Sequence, residues 1–115
     1  MLVVNRFDVG DDAGAFRAEV AGALRALSQR PGFVRGHCGP NMDEPGRWVL
    51  VTQWDSVGSY RRALSAFDVK MNATPLLSRA LVEPSAFEIA LAFEAGELTE
   101  HDTDRASDDA GAVQR

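Results

Sequence analysis

The chain has 115 residues, 45% of them apolar and 25% charged, the composition of one globular domain and too little chain for two. Its formal charge of −5 is concentrated at one end, where residues 95 to 115 hold Glu97, Glu100, Asp102, Asp104, Asp108 and Asp109 against only Arg105 and Arg115. No basic stripe remains to neutralise phosphates, so nucleic acid is not the expected partner. A single cysteine, Cys38, excludes an intramolecular disulfide and a cysteine-based zinc site, and it reads as a small buried residue rather than a nucleophile. The chain shows neither a leader pattern nor an apolar stretch near bilayer length, which points to the cytoplasm and away from the membrane.

Leu2 to Val9 alternates and is valine-rich, so a first strand is expected there, punctuated by Gly10-Asp11-Asp12. Phe16, Val20, Leu24 and Leu27 then recur at helical spacing from Ala13 to Gln29, with Asp11 or Asp12 as N-cap, and Pro31-Gly32 ends that helix. Phe33 to Gly39 reads as a second strand. A polar, turn-rich connection from Pro40 to Gly46 leads to a third, Arg47 to Trp54. Ser56 caps a helix expected to run through Phe67, with Tyr60, Leu64 and Phe67 on its apolar face. Asp68 to Asn72 fits neither pattern clearly. Thr74-Pro75, an N-cap followed by proline, opens a short helix to Leu81 or Val82 that Pro84 stops. Ser85 to Glu94 alternates and is expected to be the last strand. The acidic residues 95–115 are expected to form a disordered, solubilising tail. The resulting β-α-β-β-α-β order suits an α+β domain, an antiparallel four-stranded sheet with both helices on one face.

Strand parity assigns faces. Phe87, Ile89, Leu91 and Phe93 share one side of the last strand and are expected beneath the helices. Ala90 and Ala92 would join Leu2, Val4, Val49 and Val51 on the other side, an apolar surface that needs a lid, and a homodimer joined through its sheet faces supplies one. Arg6 and Glu88 on that face are expected to pair with each other or across the dimer.

Asn5 falls with Val3 and Phe7 on the helix-facing side, where an amide is costly unless hydrogen-bonded. Either nearby backbone satisfies it or it serves a ligand oxygen as an oxyanion stabiliser. Trp54 shares a face with Trp48, Leu50 and Thr52 at the mouth of a strand-to-helix turn, and is either core or the wall of a ligand site. Tyr60, Leu64, Phe67 and Met71, with Phe7, would form the remaining walls of a pocket or simply core. His37 lies in a strand, as packing or as a pocket acid or base, and His101 lies in the tail. Phosphate-loop, dinucleotide, zincin and hydrolase signatures are absent, and the paired acids Asp11-Asp12 and Asp43-Glu44 fall in turns.

The element order, the Pro31-Gly32-Phe33 entry to the second strand, the VTQWDSVGSYRRAL run from Val51 to Leu64 and the proline-punctuated end of the helical half resemble the antibiotic biosynthesis monooxygenase (ABM) family over residues 1 to about 94. The resemblance implies a ferredoxin-like fold, a dimeric α+β barrel, and an oxygenase that takes a small aromatic substrate and molecular oxygen without metal, flavin or other cofactor. It carries the pocket roles onto Asn5, as stabiliser of a substrate oxyanion, and onto Trp54, which would orient the ring and keep water out. Haem-degrading relatives place an axial histidine on the second helical segment, and residues 56 to 83 contain none. Tight stoichiometric haem binding is therefore not expected, with Met71 and Tyr60 the remaining conceivable ligands. A non-catalytic small-molecule-binding barrel is the other alternative.

Overall fold

A computed structural model describes residues 1–102. Strand β1 (Leu2–Asp8) is followed by helix α1 (Ala13–Ser28), β2 (Phe33–Pro40), β3 (Arg47–Trp54), three short helices α2 (Val57–Ser65), α3 (Phe67–Asn72) and α4 (Thr74–Leu77), and β4 (Ala86–Phe87). These strands form one antiparallel sheet in the order β2-β3-β1-β4. β1 and β3 lie at its centre, with Asn5 opposite Leu50 and Val4 opposite Val51. The fold is the expected α+β arrangement. Val3, Phe7, Trp48, Leu50, Thr52 and Trp54 are buried beneath the helices, while Leu2, Val4, Val49 and Val51 occupy the alternate positions.

Helix α1 covers this sheet because its apolar positions recur every three or four residues, placing Phe16, Val20, Ala23 and Leu27 on one buried stripe. Phe16 packs against Phe7 and Trp48 with ring centroids at 5.1 and 5.5 Å, the tilted and edge-on contacts that aromatic quadrupoles favour. Ala63 and Ala73 are fully enclosed, and their small size lets the short helices close down on the core.

The turn into β2 requires glycine. Gly32 has φ of +92°, and a Cβ there would overlap the Ser59 side chain and lie 2.6 Å from Asp55 Oδ1. Its carbonyl also accepts the Asp55 amide at 2.8 Å, tying the start of β2 to the start of α2. Gly32→Ala combines unfavourable backbone with overlap and is expected to cost about 2–4 kcal/mol. An unchanged urea midpoint would contradict that local geometry.

The helical half differs from expectation at Ala66, whose extended backbone (φ −70°, ψ 139°) ends α2 two residues early and caps a new helix. The break resets the helical phase. Phe67 and Met71 consequently do not continue the Tyr60–Leu64 stripe and stand 77% and 59% exposed. Asp68 to Asn72 is helical, within α3, and α4 closes a single turn that loosens before Leu81.

The last strand departs further. Only Ala86 and Phe87 pair with β1, and the chain then leaves the sheet to form a hairpin of β5 (Leu91–Glu94) and β6 (Glu97–Glu100). Ala95 and Gly96 both adopt positive φ, 51° and 79°, as the tight turn of a right-twisted hairpin requires. Residues 97–100, expected to be unstructured, are thus strand, and residues 103–115 of the expected tail lie outside the described residues. Phe87, Leu91 and Phe93 are exposed rather than beneath the helices, and Ala90 and Ala92 do not extend the outer face of the sheet.

Beyond β4 the free edge of β1 is covered by the segment before it. Val4 donates to the Ser85 carbonyl at 2.7 Å and the Leu81 amide to the Arg6 carbonyl at 2.8 Å. Arg6 makes a two-pronged pair with Glu83, both bonds 2.7 Å, so its partner is Glu83 and not Glu88. That guanidinium holds the Glu83 carboxyl below its usual range. Among the described residues no helix is long and apolar enough to cross a membrane.

Candidate functional site

Asn5 occupies the helix-facing side of β1 between buried Val3 and Phe7. Its side chain is half-buried and lies at the floor of a cleft of about 610 Å³. Helix α2 supplies Tyr60 and Leu64, α3 supplies Lys70, and α4 with its following turn supplies Thr74, Leu77 and Ser78. Among the described residues the Asn5 amide and the Tyr60 hydroxyl enter no side-chain hydrogen bond. The bland explanation for Asn5, a local bond to backbone, therefore does not hold, and the amide remains available to a ligand.

The chemistry of the remaining lining is mostly that of a donor surface. Burial pushes the Tyr60 phenol up, so it stays neutral at physiological pH and is a hydrogen-bond donor rather than a base. Ser78 Oγ donates to the Pro75 carbonyl at 2.8 Å and presents its lone pairs. Leu64, Leu77 and the Tyr60 ring provide apolar wall. Among the described residues no carboxylate or imidazole lines the cleft, and no general base is identified there.

Of the two readings the sequence left open for Trp54, the structure gives the core one. It is 1% exposed, its indole Nε1 donates to Thr52 Oγ1 at 3.0 Å, and its ring lies between Phe33 at 5.2 Å and Tyr60 at 5.5 Å. The indole therefore backs the Tyr60 wall from the core and does not line the Asn5 cleft. Trp54→Phe would strand the buried Thr52 hydroxyl and loosen Tyr60, at an expected cost of about 1–3 kcal/mol. A variant with the thermal midpoint of the parent would contradict the buried pair.

Phe7 also lies outside the cleft, packed in the core against Phe16. Phe67 and Met71 face away from it because the helical phase resets at Ala66. His37 is exposed and paired across the strands with Val51, remote from any role beside Asn5. Cys38 is partly buried, and that burial pushes its thiol up, against a nucleophilic role.

Lys70, Thr74, Leu77 and Ser78 were not legible as site residues. Thr74, Leu77 and Ser78 do have the i, i+3, i+4 spacing of one helical face, the only signal that could have grouped them. A second recess of about 460 Å³ lies between Gln53–Ser56 and the hairpin, where Trp54 borders it with Ile89, Ala92 and His101. Its outer wall is a hairpin with little anchorage to the rest of the domain. The Asn5 cleft, walled by packed helices and floored by an unpaired amide, is the better-built ligand site. Among the described residues no group of three or more His, Cys, Asp or Glu side chains is placed to hold a metal ion.

The chain is thus a mixed α+β domain with helices on one face of an antiparallel sheet and a polar-floored cleft between them. The antibiotic biosynthesis monooxygenase family model matches residues 1–70, more than half of the chain, and the chain belongs to that family. Its fold is similar to that of SnoaB, a cofactor-independent oxygenase from Streptomyces nogalater, at 26% identity over 76% of this chain and 93% of that one, with a TM-score of 0.63. An asparagine-to-alanine mutant of SnoaB aligns at 28% identity over 70% and 82% of the two chains, TM-score 0.62. A conserved protein from Methanosarcina mazei shares the fold at 17% identity over 74% and 84%, TM-score 0.60. No curated protein matches the chain.

Proposed function

We propose that the chain is a cytoplasmic, cofactor-independent monooxygenase that oxidises an anthrone- or quinol-like aromatic with molecular oxygen in the Asn5 cleft. The observation that carries this reading is the Asn5 amide, which has no internal partner among the described residues yet sits on the apolar face of the sheet. Membership of the monooxygenase family and similarity to SnoaB support it. A substrate of this class loses a proton to solvent water and becomes an electron-rich enolate or phenolate, whose negative oxygen the Asn5 amide stabilises. A ring carbon of that anion reduces oxygen and bonds to it, and the peroxide anion so formed takes a proton from water to give a hydroperoxide. Loss of water leaves one oxygen atom in the product carbonyl, and the substrate supplies every electron. Tyr60, Leu64 and Leu77 hold the ring and exclude water, while Trp54 acts from behind by fixing Tyr60.

The domain, placed by the sequence at residues 1 to 94 with an acidic tail beyond, is proposed to include the paired strand Glu97–Glu100 as well and to work as a homodimer. Leu2, Val4, Val49 and Val51 form a sheet face that no helix covers among the described residues, and Leu91, Phe93 and Leu98 of the hairpin stand 61%, 70% and 61% exposed. Haem does not fit this cleft, whose described lining offers no imidazole or thiolate as axial ligand and whose one phenol, Tyr60, is held protonated by burial.

Oxygen uptake by metal-stripped protein over a panel of anthrones and hydroquinones tests the proposal. Substrate-dependent consumption with one oxygen molecule used per quinone formed is expected. Tight binding of panel members without any consumption would favour a non-catalytic binding domain.

A further inference from the structure

Lys70 is the only lysine in the chain and, among the described residues, the only charged one lining the Asn5 cleft. From α3 it lines the same space as Asn5 from the sheet, Thr74 from α4 and Ser78 from the turn after α4. The ion pairs among the described residues employ Arg6, Arg47 and Arg79, and Lys70 takes part in none of these. Asp68, the nearest acid in sequence, accepts the Asn72 side-chain amide at 2.7 Å. The ammonium thus faces a cleft whose described lining has no carboxylate, in a chain whose overall charge is negative.

The neutral groups in the cleft reinforce this bias. The Asn5 amide and the Tyr60 and Thr74 hydroxyls can each donate, and among the described residues none of the three spends that capacity on a side-chain hydrogen bond. A neutral hydrocarbon ring would satisfy the walls but leave these donors and the ammonium facing nothing except water. We infer that the cleft selects aromatic ligands bearing a carboxylate, with Lys70 as the group that recognises it. This inference rests on the reading of the cleft as the ligand site and adds the substrate's charge class to it.

Calorimetric titration with 1-naphthol and with 1-hydroxy-2-naphthoate tests it, since the two probes share a ring and a hydroxyl and differ by the carboxylate. The parent protein is expected to bind the carboxylated probe about ten-fold more tightly, as a charge-assisted contact at a partly exposed site allows. Lys70→Gln should bring the ratio close to one, Lys70→Glu should invert it, and Lys70→Arg should keep most of it. Because Lys70 is exposed, these variants should melt with the parent. The preference should also shrink as salt is raised from about 0.05 to 0.5 M. A parent ratio below about two, failure of 1-hydroxy-2-naphthoate to bind, or a ratio that survives Lys70→Gln would each overturn the inference. Oxygen uptake separates the two readings. Uptake without a carboxylate preference removes the charge selection and leaves the oxygenase, whereas a Lys70-dependent preference without uptake does the reverse.

Discussion

Replacing Asn5 with alanine is expected to lower kcat for an oxidisable anthrone by about 10²–10³-fold, the range found for loss of one preorganised donor to a developing oxyanion. KM should change much less, because the neutral substrate needs the amide less than its anion does. The same variant is expected to be at least as stable as the parent. Asn5 sits among Val3, Phe7 and Leu50 without an internal partner among the described residues, so alanine removes a polar group that the fold does not satisfy. Loss of activity with preserved stability would mark a catalytic role, whereas loss of both would mark a structural one. Steady-state oxygen uptake and a thermal melt on one preparation distinguish them.

Val51→Asp is expected to convert the proposed homodimer to monomer or aggregate. Val51 lies at the centre of the uncovered sheet face, opposite Val4 on one side and His37 on the other. Burial of roughly 500 Å² of such surface per chain, at about 25 cal/mol per Å², is worth on the order of 12 kcal/mol before association costs. A carboxylate at that point loses its hydration without gaining a partner. Light scattering after gel filtration reads the outcome. An unchanged dimer would place the interface elsewhere, with the exposed apolar side chains of the hairpin as the next surface to probe.

The central sheet and its faces were readable because β1 and β3 alternate cleanly, and parity depends only on the fixed period of a strand. The α1 stripe was readable for the corresponding helical reason. The 85–100 region was not, because an alternating run does not reveal its partner. Ser85 to Glu94 can continue along β1 or fold back on residues 97–100, and Ala95-Gly96 provides the local turn that the hairpin uses. At the site, Asn5 and the Tyr60–Leu64 pair were visible as a polar intruder and a helical stripe. Phe67 and Met71 were lost at Ala66, where nothing in the apolar pattern announces a break in phase. Trp54 drew attention by size and position, yet size also makes it the natural plug of the core, and its indole N–H is satisfied within its own strand by Thr52.

Whether Asn5 stabilises an oxyanion is measured most directly by anaerobic spectrophotometric titration of a bound hydroxylated chromophore such as 1-hydroxyanthraquinone. Stabilisation of the bound anion should lower the probe's pKa by about one pKa unit or more relative to free probe, equivalent to roughly 1.4 kcal/mol or more. In Asn5→Ala most of that difference should disappear, while the Lys70 ammonium remains in place. A bound probe that ionises at its free pKa in the parent protein, or a lowered pKa that persists unchanged in Asn5→Ala, would contradict the assignment of the cleft as an oxyanion-stabilising oxygenase site.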